Sequence, residues 1–225
     1  LRAIVGPDWV LTAPEDMLCY AYDGTFSEGR PDVAVLPSSV EQVQAIVRLA
    51  DRERIALIPR GMGSGLAGAT VPFEGGIALT LTRMNRILEI DPVDMVAVVE
   101  AGVITGDLQA EVEAKGLFFP PDPSSLKHCT IGGNVACNAG GPRCLKYGVM
   151  RDYVMAMQVV MADGRVMRVG TRTAKNATGY SLTHLFVSSE GTLGIVTEVT
   201  LRLLPLPRAV QTALAVFPRL ADASE

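Results

Sequence analysis

Apolar and polar positions alternate with two different periods along the chain, and the change of period predicts a mixture of strands and helices. Short apolar runs, typical of buried strands, occur at 33–36, 55–58, 77–81, 87–90 and 95–99. Between the first two runs, apolar residues fall on one helical face at positions 40, 43, 46, 47 and 50, behind a capping pattern of Ser38 and Glu41. Strand, helix and strand in that order predict a βαβ unit with parallel pairing.

The second half of the chain predicts antiparallel strands. Runs at 154–161 and 166–169 are separated by Asp163-Gly164, a strong hairpin signal. Residues 195–203 alternate as one long strand, and 212–217 is typical of a further strand. Helices are expected at 105–115 and 181–186, an irregular chain at 1–32, and a lobe boundary near Asp91-Pro92, where the charge and proline pattern changes.

A glycine-rich loop, Pro59 to Gly68, follows the predicted strand at 55–58. Glycines can take a positive φ and turn successive N–H groups towards an anion, which indicates a site for the diphosphate of a dinucleotide, with Arg60 adding a charge. The ATP/GTP loop is excluded because Leu66 stands where that loop needs lysine, and a Rossmann loop is excluded because Pro72 interrupts any long helix. A tight structural loop without a ligand remains the alternative.

A second glycine-rich segment, 130–141, carries Asn134 and Asn138 four residues apart. On a helical turn their amides project from one face and suit a heterocycle or ribose; the alternative is that they cap local backbone. The segment 119–124 is rich in proline and must be an extended loop. Together with the first loop, these segments suggest a ligand clamped between two lobes.

Composition narrows the function classes. The chain has 225 residues, 48% apolar and 20% charged, which indicates a globular protein with a proper core. A net charge of −4 argues against a nucleic-acid surface, and no apolar run is long enough to predict a membrane span. The four cysteines lack metal-site spacing and are expected to be reduced thiols of a cytoplasmic protein. With two histidines, His128 and His184, no metal site is predicted in this chain.

Six segments in order resemble the flavin-binding half of the FAD-linked D-2-hydroxyacid oxidoreductases, closest to the glycolate oxidase FAD-binding subunit. They are 59–68, 120–124, 129–141, 146–148, 175–180 and 189–196. The resemblance implies an α+β fold of the vanillyl-alcohol oxidase or PCMH type, with a small lobe of parallel strands and a larger lobe of antiparallel strands. It implies two FAD-binding lobes, 1–92 and 93–207, and the start of a truncated substrate or cap domain at 208–225.

The resemblance also implies which residues bind FAD. The first loop would hold the diphosphate through its amides, and the proline-rich loop at 119–124 would line the flavin. The second glycine-rich segment would contact the flavin, the ribityl chain or the diphosphate. The turn at 190–196 would meet the adenosine end. Ser64 stands where some relatives attach FAD covalently to histidine, which predicts non-covalent FAD. The predicted binding residues are Pro59, Arg60, Gly61, Met62, Gly63, Ser64, Gly65, Leu66, Gly68, Pro121, Asp122, Ser124, Gly132, Gly133, Asn134, Asn138, Glu190, Gly191, Ile195 and Val196.

The function implied is oxidation of a small D-2-hydroxy acid, of the glycolate or D-lactate type, by hydride transfer to flavin. The catalytic residues stay unassigned because the family carries its base and metal site in the later cap domain, so this fragment alone would be inactive. An iron–sulfur partner subunit is expected, and a peripheral position at the inner face of the membrane is an alternative to a purely cytoplasmic one. Another flavin oxidoreductase of the same fold, or a non-catalytic FAD-binding module, remains an alternative function.

Overall fold

The computed structural model describes residues 1–224. Its strands, in chain order, are β1 (Val10–Leu11), β2 (Val33–Val35), β3 (Leu57–Arg60), β4 (Ile77–Thr80), β5 (Ile87–Asp91), β6 (Val96–Glu100), β7 (Leu117–Phe118), β8 (Val154–Val160), β9 (Val166–Gly170), β10 (Ile195–Arg202) and β11 (Leu204–Pro205). Its helices are α1 (Arg2–Val5), α2 (Pro14–Leu18), α3 (Val40–Glu53), α4 (Thr105–Glu113), α5 (Ile131–Cys137), α6 (Cys144–Tyr147), α7 (Leu182–Phe186) and α8 (Leu220–Ser224), with 3-10 turns at Pro7–Trp9 and Met150–Asp152.

The first sheet, in the order β1-β2-β4-β3, forms the small lobe. β4 pairs in parallel with both β2 and β3, and β1 adds an antiparallel edge. The βαβ prediction therefore gives the correct parallel direction, but β4 lies between its two strands. The sequence could not show this insertion, because nothing local specifies which strand fills the space between two others.

Helix α3 packs its predicted apolar face into the small-lobe core, where Val43, Ile46, Val47 and Ala50 are buried. Its N-cap is Ser39, whose Oγ accepts a hydrogen bond from the Gln42 amide at 3.4 Å. The cap is thus one residue later than the Ser38–Glu41 pattern indicated. The Gln42 side chain instead reaches back to the Ser38 amide at 2.8 Å.

The second sheet, in the order β5-β6-β10-β8-β9, forms the large lobe and is antiparallel throughout. The hairpin predicted at Asp163-Gly164 joins β8 to β9, and Gly164 takes a φ of +76°. A short pair of β7 and β11 extends this lobe. The small parallel sheet and larger antiparallel sheet confirm the predicted α+β class.

Three expectations need correction or refinement. Residues 212–217 form no strand: they are exposed and pair with nothing in the described chain, so an alternating pattern alone did not produce a sheet edge. The irregular chain expected at 1–32 contains α1, α2 and β1, which pack against the small lobe. The change of sheet falls between β4 and β5, earlier than the boundary placed at residue 92, while the division into domains stays a prediction.

The two lobes share buried contacts. Val160 and Ile195 of the large lobe lie in the core cluster of the small lobe. On the surface, the Gly164 carbonyl accepts hydrogen bonds from Gln44 Nε2 at 2.7 Å and Arg48 Nη2 at 3.2 Å. These contacts from α3 to the β8–β9 hairpin fix the orientation of one lobe against the other.

Candidate functional site

Two adjoining clefts lie where the small lobe faces the large lobe. The first, about 590 Å³, is lined by the end of β3, by α5 and by the turn at 189–196. The second, about 840 Å³, is lined by residues 61–67 and by the proline-rich segment 123–125. The clefts are continuous because they share the lining residues Gly61, Ala69, Thr70, Thr130, Gly133 and Cys137.

The glycine loop, residues 61–68, follows β3 directly and carries a row of unused backbone donors. Within residues 1–224, no backbone N–H from 61 to 67 donates a hydrogen bond to a protein acceptor. The amide of Gly68 is the first to be bonded, to Asp23 Oδ2 at 2.9 Å. Residues 61–67 are partly or fully exposed, and seven successive donors without a protein acceptor in a glycine-rich loop that lines a cleft fit a site for an anion.

The loop glycines are required for different reasons. Gly63 and Gly68 adopt φ values of +68° and +75°, which side chains rarely tolerate. A Cβ at Gly61 would overlap the hydroxyl of Thr130 across the lobe contact. Gly65 has neither a positive φ nor any atom within 4 Å of an added Cβ. Only some of these glycines therefore serve the conformation of the loop.

Arg60 does not extend into the cleft as a free cation. It is only 6% exposed, and its guanidinium donates to the carbonyl of Tyr22 at 2.7 Å, to that of Cys19 at 3.2 Å and to the Thr70 side chain at 3.3 Å. The segments before and after the glycine loop are thus joined behind it. The positive charge expected beside the loop is present, but it is buried beneath the loop.

Asp23 is a functional candidate that the sequence analysis missed. Its buried carboxylate lines the second cleft. One oxygen accepts from the amide and hydroxyl of Thr25, at 2.8 and 2.6 Å, and the other accepts from the amide of Gly68. An Asp followed by Gly and Thr is a common turn signal, but its contact with a loop 45 residues away has no local signature.

The first cleft has an apolar wall. Leu81, Ala101, Ile195 and Val196 line it beside the amides of the turn. Cys137 lies where the two clefts meet, and burial, with further contributions from the charges of Glu190 and Asp23, raises the pKa of its thiol. The site thus has a polar end at the glycine loop and an apolar end near β10.

Most of the predicted binding residues come together around these clefts. Those that line one or both are Pro59, Arg60, Gly61, Met62, Gly63, Ser64, Gly65, Leu66, Ser124, Gly132, Gly133, Asn134, Glu190, Gly191, Ile195 and Val196. Outside the lining are Gly68, Pro121, Asp122 and Asn138. The Pro121 carbonyl accepts from Gln109 Nε2 at 2.7 Å, and the Asp122 carboxylate is paired with Arg143 at 3.3 Å.

The two asparagines of the second segment differ in position. Asn134 lies in α5, lines the second cleft, and donates to the Thr105 hydroxyl at 2.6 Å. Asn138 ends the helix with a φ of +49°, and its side-chain oxygen accepts from the Arg151 amide at 2.9 Å. The side chain of Asn138 therefore caps local backbone, which was the alternative to ligand binding.

Several lining residues were not predicted. They are Asp23, Ala67, Ala69, Thr70, Leu81, Ala101, Pro123, Ser125, Cys129, Thr130, Ala136, Cys137, Ala139, Ser189 and Gly194. Many are small or apolar residues beside predicted positions, so extending each motif by one or two residues would have found them. Thr130 has a clearer signal, because its hydroxyl caps α5 by accepting from the Gly133 amide at 3.2 Å.

Neither histidine lines the clefts, and His184 bonds Ser181 on the surface. Within residues 1–224, no three His, Cys, Asp or Glu side chains are grouped as a metal site would require. The described helices include none with the length and apolar character needed to cross a bilayer.

The residues present fit a flavin dinucleotide. The unpaired loop amides suit a diphosphate, and the apolar wall near β10 suits a ring system. Apart from Arg60, no Lys or Arg of the described chain lines either cleft. An anion bound here would therefore be held mainly by backbone donors.

Comparisons with known proteins agree with this geometry. A family model described as FAD binding domain matches residues 31–170. The glycolate oxidase subunit GlcD of Bacillus subtilis is 45% identical over 226 residues, covering 100% of this chain and 48% of that protein. A D-lactate dehydrogenase of Anaerostipes hadrus is 41% identical over 220 residues, covering 97% of this chain and 46% of that protein.

Among solved structures, p-cresol methylhydroxylase with substrate bound superimposes with a TM-score of 0.81 at 26% identity, covering 92% of this chain and 42% of that one. This likeness confirms the PCMH-type fold that the motifs implied. The chain spans about half the length of the curated relatives it matches.

Proposed function

Because the chain belongs to the FAD binding domain family and has FAD as its cofactor, we propose that it is the flavin-binding part of an enzyme that oxidises a small D-2-hydroxy acid of the glycolate or D-lactate type. The observation that carries the proposal is the row of backbone N–H groups at 61–67 that have no protein acceptor, in a loop that lines the second cleft beside the apolar first cleft. Relatives named glycolate oxidase subunit and D-lactate dehydrogenase support the substrate class.

The glycine loop would hold the diphosphate of FAD through its N–H groups. The apolar wall of Leu81, Ala101, Ile195 and Val196 would exclude water from the first cleft, and Asn134 and Ser124 would offer polar groups in the second. Ser64 has no means of forming the histidyl bond found in some relatives, so the cofactor would be non-covalent. Four predicted residues outside the cleft lining would support FAD binding indirectly, by fixing the segments that line the clefts. They are Gly68, Pro121, Asp122 and Asn138.

The chemistry supplied by bound FAD is acceptance of a hydride from the substrate carbon that carries the hydroxyl group. The chain's own residues bind and orient the cofactor and keep water from its apolar end. The hydroxyl proton goes to a base that we assign to the part of the relatives beyond this match, since neither histidine of this chain lines the clefts.

The division 1–92, 93–207 and 208–225 into two FAD-binding lobes and the start of a substrate domain belongs to the same proposal. So do a small 2-hydroxy acid as substrate, an iron–sulfur subunit as electron acceptor, and a cytoplasmic location that includes the inner membrane surface. The likeness to a glycolate oxidase subunit supports a multi-subunit enzyme, since a subunit implies partners.

Reconstitution tests the proposal. Apo protein is mixed with FAD, freed of excess cofactor, and its flavin absorbance is measured before and after acid precipitation. We expect bound flavin that acid releases. The full-length protein, reconstituted in the same way, is then mixed without oxygen or any other acceptor with D-lactate or glycolate, with L-lactate as the control.

Bleaching of the flavin by a D-2-hydroxy acid and not by L-lactate supports the substrate class. Failure to take up FAD contradicts the whole proposal. Uptake of FAD without reduction by any D-2-hydroxy acid, in the full-length protein, contradicts the substrate class alone.

A further inference from the structure

Helix α4 lines neither cleft, yet one of its side chains holds part of the wall of the second cleft. Thr105, its first residue, is fully buried, and its hydroxyl accepts a hydrogen bond from Asn134 Nδ2 at 2.6 Å. Asn134 lies 29 residues further along the chain, in α5, and lines the second cleft. A residue outside the site therefore contacts a side chain within it.

The hydroxyl of Thr105 uses its proton elsewhere. A hydroxyl has one proton, and this one is donated to the Cys129 carbonyl at 3.3 Å. The Thr105 oxygen accepts from Asn134 and, more weakly, from the Cys129 thiol at 3.4 Å. Because Thr105 acts as an acceptor towards Asn134, the NH2 side of the Asn134 amide must face Thr105.

The other side of that amide is the oxygen Oδ1, which accepts no hydrogen bond from residues 1–224. Asn134 is only 4% exposed, but in the described chain the Thr80 hydroxyl is the single fully enclosed side-chain N or O atom without a partner. Oδ1 therefore keeps a free surface, and the open space that Asn134 lines is the second cleft. Polar atoms of mostly buried residues rarely stay unpaired, so we expect a group in the cleft to donate to Oδ1.

An amide oxygen only accepts hydrogen bonds, and this limits what it can bind. The diphosphate of FAD is also an acceptor and cannot pair with Oδ1. The turn at 189–196, where the adenosine end is expected, lines the first of the two clefts and not the second. The second cleft is left for the flavin half of FAD, whose donors are the ring N–H and the ribityl hydroxyls.

We propose that Thr105 is a positioning residue: it fixes the Asn134 amide with its oxygen towards the second cleft, where that oxygen accepts a hydrogen bond from the ring N–H or a ribityl hydroxyl of FAD. The inference rests on the proposed function, because it assumes that FAD binds. It deepens that function by giving the second cleft a preference for a donor and by tracing the preference to a residue that lines neither cleft.

Two variants separate the hydroxyl of Thr105 from its size. Thr105→Val has nearly the same shape but offers no acceptor, so the amide of Asn134 loses the partner that fixes its orientation. Thr105→Ser keeps the hydroxyl. Thr197→Val is the matched control, because Thr197 is also fully buried, its hydroxyl donates to Gln158 Oε1 at 3.0 Å, and it lines neither cleft.

Each purified apo protein is titrated with FAD, with FAD methylated at the ring N–H, and with FAD analogues that each lack one ribityl hydroxyl. One hydrogen bond between neutral groups changes affinity by about 2- to 13-fold. We expect Thr105→Val to bind FAD more weakly by that factor, and Thr105→Ser and Thr197→Val to bind FAD as the wild type does. The analogue that lacks the donating group should bind Thr105→Val and the wild type equally, because its contact with Oδ1 is already absent.

A purely structural role of Thr105 gives a different result, since Thr105→Val would then bind FAD and every analogue more weakly by the same factor. That result would overturn the inference, as would wild-type affinity of Thr105→Val for FAD.

If the valine variant does not fold, the wild type alone decides. One analogue should bind the wild type at least about 2-fold more weakly than FAD does, and equal affinity for FAD and all analogues contradicts the inference. A wild-type protein that binds no FAD contradicts the proposed function and the inference together. Equal analogue affinities in a wild type that binds FAD contradict only the inference.

Discussion

Replacement of Gly65 by valine tests the glycine loop without disturbing its fold. An added Cβ at Gly65 meets no atom within 4 Å, and the residue has no positive φ. The unliganded protein should therefore keep its stability or gain about 0.4–1 kcal/mol from a less flexible unfolded chain. In the second cleft, however, the new methyl groups occupy space beside the unpaired amides.

The expected loss of affinity follows from those amides. A hydrogen bond to a charged group contributes about 1.5–3 kcal/mol, so displacing the diphosphate from one amide weakens FAD binding by about 10- to 150-fold. Flavin fluorescence titration measures the affinity, and urea unfolding of the apo protein measures stability. Ala114→Val, at an exposed position at the end of α4, adds a similar side chain far from the clefts and should change neither. FAD binding at wild-type affinity by Gly65→Val would show that the diphosphate does not approach this loop.

Three further outcomes are expected. Gly63→Ala should lower the free energy of unfolding by about 1–3 kcal/mol, because it forces a side chain into left-handed backbone and against Arg60; unchanged urea unfolding contradicts this. Asp23→Ala should cost about 1–3 kcal/mol by leaving the Gly68 amide without its acceptor, as urea unfolding of apo protein would reveal. The raised pKa of Cys137 leaves less thiolate at pH 8, so iodoacetamide should modify it more slowly than free cysteine, and FAD should slow it further; mass spectrometry of the labelled peptide checks both rates.

Local patterns predicted the elements of this fold well where the residues themselves determine them. The apolar face of α3 and the Asp163-Gly164 hairpin depend on neighbours in sequence, and both formed as expected. The insertion of β4 between β2 and β3 depends on contacts between distant residues, so no local pattern indicated it. The strand predicted at 212–217 failed for the same reason, since a strand needs a partner that the pattern does not contain.

The site shows the same limit. Glycine spacing located the loop, but it could not distinguish Gly63, which needs its left-handed backbone, from Gly65, which does not. It also placed the charge of Arg60 beside the ligand, whereas long-range bonds to Cys19 and Tyr22 draw the side chain beneath the loop. The roles of these residues depend on their burial and on partners far away in the chain, and local sequence patterns specify neither.

The width of the site is set by contacts that exist without a ligand. On the outer side, Gln44 binds the Gly164 carbonyl of the opposite lobe. At the cleft itself, Gly61 packs against the Thr130 hydroxyl, which also caps α5. Separating the lobes would expose both contacts and loosen that cap. These contacts therefore hold the glycine loop and the apolar wall in place before the cofactor arrives, so little binding energy is needed to order them. This explains how a loop with no free cation can bind a dinucleotide: the donors are already in position, and their number replaces the strength of a single charged contact.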